Sequence, residues 1–156
     1  MREIKFRAWD KKRKKMWYPN NDEVDFYAIG MSGALYALDE NGKYDYTEEF
    51  EKMIFMQFTG LKDSNGKEIY EGDIVIADDG GEWFPHEYNE EKDEYYPTGK
   101  YLVEYDDELA RFILIDLETN REVECDYNPF SLPDFTLEAI GNRFENPELL
   151  KEVKNG

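Results

Sequence analysis

A chain of 156 residues with 19 Lys and Arg against 37 Asp and Glu, net charge −18, has the length of one domain. One Cys and one His exclude an intramolecular disulfide, an N/S zinc site within the chain and most His-dependent hydrolase triads. No apolar run approaches the ~18 residues of a membrane span, and the basic start MREIKFRAWDKKRKK lacks the apolar stretch of a signal peptide, so a soluble, cytoplasmic protein with no membrane partner is expected.

Residues 3–9, EIKFRAW, alternate as a strand, with Ile4, Phe6 and Ala8 on one face and Lys5, Arg7 and Trp9 on the other. DKKRKK is the turn and MWY the returning strand. Trp9 and Trp17 flank that turn and are expected to pack across the hairpin. Short strands follow in VDFYAI and ALYAL, and Asn41-Gly42 signals a two-residue hairpin. Thr47 with Glu48 and Glu49 reads as a helix start, carrying Phe50, Met53 and Ile54 on one face before IFMQFT returns to strand. Asn65-Gly66 is a second tight turn, and DIVIA is a β-rich run. Residues 78–97 lack periodicity and are expected to form an acidic loop or insertion. KYLVEYD and ARFILID are strands joined by a turn at Asp106, Asp107 and Glu108. EVECDY, entered through Thr119-Asn120, and TLEAIGN complete the strands, with the loop NPFSLPD between them. Asn146-Pro147-Glu148 predicts a helix from Pro147 to about Lys154.

Nine or ten short strands with no βαβ alternation point to a mainly β, antiparallel fold. Leu, Ile, Val and Phe number 35 of 156 residues, and ten Phe, twelve Tyr and three Trp supply an aromatic-rich core beneath an acidic surface. The expected architecture is an SH3-like small barrel with added strands and a short C-terminal helix, as a single domain over 1–156.

Three blocks carry a resemblance: the N-terminal MREIKFRAWDKKRKKMWY, the central QFTGLKDSNGKEIYEGDIV and the C-terminal AIGNRFENPELL. In this order they resemble the YopX family of bacteriophage and prophage proteins. The resemblance implies a mainly β fold, a bacterial or phage origin and a tendency to form homo-oligomers. It carries no biochemical function and no catalytic residue. Within the central block, Gly66 suits positive φ and Lys62 faces Glu68 across the turn. Glu71-Gly72-Asp73 before IVIA resembles the strand entry of SH3-like barrels. Gly141 marks a bulge or close approach, and Asn146 caps the helix.

No chemistry-bearing constellation emerges. The sequences starting at Asp39 and Asp63 fail the EF-hand spacing, and Asp78, Asp79, Glu82, Asp106, Asp107 and Glu108 are ordinary for so acidic a chain. No phosphate-cradling loop is present. Cys125, between Glu124 and Asp126, is an inert thiol, because neighbouring acids disfavour the thiolate. His86 reads as an exposed histidine near carboxylates. No catalytic residue, metal site or cofactor is expected, and the chain is read as a non-enzyme.

Charge and aromatics supply the candidate interaction residues. Residues 1–16 hold eight bases and two acids, net +6, whereas residues 17–156 are net −24. The basic turn Lys11, Lys12, Arg13, Lys14 and Lys15 is one candidate surface. Trp83, Phe84, Tyr88, Tyr95 and Tyr96, in the acidic loop, are the other. The reading is a non-enzymatic protein-interaction module acting on a host or phage protein. Its alternatives are a self-assembling homo-oligomer, with the basic hairpin docked on an acidic neighbour, and nucleic-acid binding through that hairpin. The acidic body disfavours nucleic acid.

Overall fold

A computed structural model describes residues 3–18, 27–29, 35–38, 41, 44–45, 53–78, 86–123 and 136–150. The chain divides into two compact units, residues 4–57 and residues 58–156 with 1–3, and the division falls within one strand, Met53–Lys62.

In the first unit, β1 (Phe6–Asp10) lies between β2 (Lys15–Trp17) and the start of β6 (Met53–Lys62), antiparallel to both. Ala8 faces Trp17 and Phe55, and these pack with Met53. Trp9 faces Met16 and Ile54 on the opposite side of the sheet. The two tryptophans thus occupy opposite faces and do not pack across the hairpin. The two faces read from the alternation do not divide into a buried and a wet one: Arg7 is 2% exposed and Trp9 is buried, while Ile4 is 68% exposed. As the middle strand, β1 is covered on both sides from Arg7 to Asp10. A smaller antiparallel sheet joins β3 (Tyr27–Ile29), β4 (Leu35–Leu38) and β5 (Tyr44–Asp45). Leu38 pairs with Tyr44, leaving five residues between them. Gly42 of the Asn41-Gly42 turn expected there lies outside the described residues. Met53 begins a strand, not the last turn of a helix; the proposed helix start at Thr47 lies outside the described residues.

In the second unit, β6 continues to pair with β7 (Glu68–Tyr70). The main sheet has the order β13 (Arg121–Glu122), β12 (Arg111–Asp116), β11 (Tyr101–Asp106), β8 (Asp73–Asp78), β14 (Thr136–Asn142). Its core face carries Val75, Ala77, Tyr101, Val103, Phe112, Leu114 and Leu137, with Ile69 from β7. Each fully buried apolar side chain of this size contributes about 1.5–3 kcal/mol by leaving water. A two-stranded hairpin pairs β9 (His86–Asn89) with β10 (Glu94–Pro97). Residues 86–97 are therefore a hairpin, not an irregular loop. Alternation missed it because its strands are only four residues long and its sequence is acidic throughout.

Every ladder among the described residues is antiparallel, as expected for a mainly β fold. No ladder among the described residues joins β13 to β14, and the SH3-like detail finds no support in the pairing. The C-terminal element is a single 3-10 turn, Pro147–Leu150; residues 151–154 of the predicted helix lie outside the described residues. No helix among the described residues is long and apolar enough to cross a membrane.

Candidate interaction surface

Four hairpins share one local device. Asp10, Asn89, Asp106 and Asp116 each end a strand and turn the side-chain oxygen onto two backbone N–H groups of the following loop. Each loop has four residues, and its last residue has positive φ: Lys14, Asp93, Ala110 and Asn120. Asp and Asn favour such positions because their short side chains satisfy turn donors that the ladder no longer reaches.

The β1–β2 loop is the basic one. Lys12 and Arg13 donate backbone N–H to Asp10 Oδ1 at 2.9 and 2.8 Å, and the Arg13 guanidinium donates to Asp10 Oδ2 at 2.8 Å. The Lys14 N–H donates to the Asp10 carbonyl at 2.8 Å. Asp10 is 1% exposed. Burial by itself pushes its carboxyl up. The hydrogen bonds from Arg13 and Lys12 and the charge of Arg13 outweigh that and hold it below the ordinary carboxylate range. A buried anion thus fixes a turn whose five basic residues are all exposed. Lys15 lies over the Trp17 ring, 4.0 Å from its centroid. Among the described residues, no ion pair or hydrogen bond engages the ammonium groups of Lys11, Lys12 and Lys14. The role of Asp10 was missed in the sequence, although an Asp ending a strand just before a turn is its signal.

Of the aromatic candidates, Tyr88 and Tyr95 are register partners across the β9–β10 hairpin, and Tyr96 is the register partner of Glu87. Tyr88 is 49% exposed and donates its hydroxyl to Asp93, and that hydrogen bond raises its pKa. Trp83 and Phe84 lie outside the described residues, as does Cys125. The His86 side chain is only 7% exposed, with Nε2 3.4 Å from Asp78 Oδ1, so the expectation of an exposed histidine is corrected. No group of three or more metal-ligating side chains gathers among the described residues.

The central motif does structural work. Gly66 has φ +82° and its N–H donates to the Asp63 carbonyl at 2.9 Å, and the Asp63 N–H donates to the Lys67 carbonyl at 2.7 Å. The loop between them is three residues, Ser64 to Gly66, one more than a two-residue Asn-Gly turn, with Gly66 at the left-handed position. Lys62 and Glu68 are register partners, but the Glu68 carboxylate accepts from the Tyr70 hydroxyl at 2.7 Å. The buried Asp63 accepts from the N–H groups of Asn65 and Lys67 on one oxygen and from Ala139 on the other. Burial raises its pKa, but these bonds prevail and keep it low. The Ser64 N–H donates to the Leu137 carbonyl at 2.9 Å. The turn thereby occupies backbone groups of β14, an end strand of the main sheet, which would otherwise be open to pairing. Upstream, Thr59 donates its hydroxyl to the Ile69 carbonyl where β6 carries extra residues against β7.

Gly141 is both a bulge and a close approach. The register shifts between Ala139 and Gly141, and a Cβ at Gly141 would stand 2.6 Å from Asn146 Oδ1. Asn146 Oδ1 accepts from the Asn142 N–H at 3.2 Å, so the side chain ties back to β14 and does not cap the following turn.

Among solved structures, the chain is similar to the crystal structure of protein EF1440 from Enterococcus faecalis, at 30% identity and TM-score 0.51, over 96% of this chain and 99% of that one. It is also similar to the crystal structure of protein yopX from Bacillus subtilis, at 19% identity and TM-score 0.51, over 96% of this chain and 97% of that one; this likeness speaks to the fold alone. No curated protein matches. The model of the family described as YopX protein matches residues 5–151. A match that includes the basic hairpin, the Asp63 turn and the Gly141 bulge spans nearly the whole chain, and the chain belongs to the YopX protein family.

Proposed function

We propose that this chain is a non-enzymatic interaction module that binds another protein, a host or phage factor, through the tip of the β1–β2 hairpin. One observation carries the reading: five consecutive basic residues are exposed on a turn that a buried carboxylate holds in one shape. A preformed turn loses less entropy on binding than a mobile one. Charges of this kind act mainly by steering encounter and setting specificity. Self-assembly is supported by the exposed Asp107 and Glu108 at another hairpin tip, which offer a second copy charges of opposite sign.

The test is a pull-down with the tagged full chain and with Lys11→Gln/Lys12→Gln/Lys14→Gln, at 50 and 300 mM salt, read by mass spectrometry. The expected result is a partner protein retained by the wild type at low salt and weakened both by salt and by the triple variant. Equal recovery with both chains would overturn the reading. Recovery of bait alone, with a mass by light scattering well above 18.6 kDa, would replace it with self-assembly.

A further inference from the structure

We infer that the β1–β2 turn takes a short acidic peptide segment, a run of Asp and Glu carboxylates, through Lys11, Lys12 and Lys14. The inference rests on the interaction-module reading and names the chemistry of its partner.

Three features of the turn select carboxylates over a nucleic-acid backbone. Phosphate recognition favours the planar fork of Arg and the free N–H groups of a turn. The single Arg of the tip, Arg13, is already held by Asp10, at 2.8 Å. The N–H groups of Lys12, Arg13 and Lys14 are likewise taken by Asp10. Asp10 thus fills the place an incoming phosphate would need, and its low pKa keeps it anionic near neutral pH. What remains outward is a triplet of ammonium point charges, close in sequence and free of geometric demands. These suit a flexible chain of carboxylates.

Size gives the second argument. Residues 17–57 of the same compact unit carry nine acids and two bases. A long polyanion reaching past the tip has to run along a chain whose residues 17–156 are net −24, and that repulsion, screened over roughly 8 Å at physiological salt, opposes it. A segment of a few acidic residues engages the lysines and ends there. Uncommitted lysines also carry no stringent geometry, so recognition depends on local charge density and falls as salt rises.

The probe is a fluorescein-labelled hexaglutamate peptide, with single-stranded DNA of equal charge as competitor class, followed by anisotropy at 50 and 300 mM salt. The full chain is compared with Lys11→Gln/Lys12→Gln/Lys14→Gln and with a triple distant in sequence and of equal charge change, Lys62→Gln/Lys67→Gln/Lys92→Gln. The wild type is expected to bind the peptide more tightly than the DNA. The tip triple is expected to lose affinity on the order of 100-fold, from three contacts each worth about fivefold in water. The distant triple should bind within about twofold of wild type, because it makes the same change in net charge and leaves every lysine of the turn in place.

Absent peptide binding at 50 mM salt, equal losses in the two triples, or preference for the DNA would each overturn the inference. Circular dichroism of the tip triple guards against loss of fold, and the distant triple keeps the comparison decisive should that variant unfold. The two readings fail separately. A pull-down partner lost with the tip triple, but no hexaglutamate binding, overturns the acidic-segment inference and leaves the module standing. Hexaglutamate binding with no lysine-dependent partner overturns the module alone.

Discussion

Asp10 holds the β1–β2 turn through four contacts from three residues, and nearly all of its surface is out of water. Replacing it by Ala removes the acceptor for two backbone N–H groups and one guanidinium, and is expected to cost about 1–3 kcal/mol. Asp10→Asn keeps an oxygen for the N–H groups but discards the charge, so it should cost less. The two variants also differ from wild type in their response to pH. The native Asp10 carboxyl is held below its unfolded value of about 3.9. Its stabilising contribution is therefore complete above that value and disappears as pH falls through the lower native pKa. Urea unfolding should show a gap between wild type and Asp10→Asn at pH 7 that narrows as pH falls below the unfolded value of about 3.9. A gap that is constant with pH would show that the anion does not hold the turn. Asp63 has the same sign and adds to the same acid limb.

At the scale of elements, β14 runs over the seven residues TLEAIGN read as the last strand, and its bulge falls at Gly141. These were legible because a turn-free apolar run and a lone glycine each have one common physical meaning. The roles of Arg7, Trp9 and Asp10 were not legible. Alternation presumes one wet face, and a middle strand covered on both sides violates it. Turns were read at three of the four loops, in DKKRKK, at Asp106 to Glu108 and at Thr119-Asn120, and not between β9 and β10; the anchoring role of Asp and Asn was missed at all four, since an acid in an acidic chain looks like solvated charge. Gly141 gives the element-level prediction. Ala there places a Cβ 2.6 Å from Asn146 Oδ1, and that oxygen also accepts from the Asn142 N–H. Gly141→Ala should cost about 1–3 kcal/mol through the clash, and Asn146→Ala about 1 kcal/mol through the lost bond. The double variant should cost less than their sum by at least ~0.5 kcal/mol, because the second change removes what the first collides with. Additive losses in denaturant titrations of the four proteins would disprove that the bulge and the 3-10 turn are joined by this contact.

For the molecule as a whole, the dominant charge term is repulsion. A net charge of −18 on 156 residues opposes compaction at neutral pH, and added salt screens it. The same salt weakens the favourable pairs Arg13–Asp10, Arg111–Glu122 and Arg143–Glu104. The last two are partly exposed, and exposed pairs contribute about 0–1 kcal/mol each. The excess of 18 negative charges has no such local compensation, so screening should stabilise on balance. Between about 10 and 100 mM sodium chloride the Debye length shortens from ~30 to ~10 Å. Over that range at pH 7 the melting temperature should rise by at least ~2 °C, the scale of roughly 1 kcal/mol for a chain this long. Near pH 4.4, the isoelectric point of the sequence, the net charge vanishes and the rise should vanish with it. Calorimetry at two salts and two pH values separates the alternatives. A melting temperature that falls with salt at pH 7 would mean that specific ion pairs outweigh the net charge. Equal rises at both pH values would assign the effect to general salting-out, which acts independently of charge.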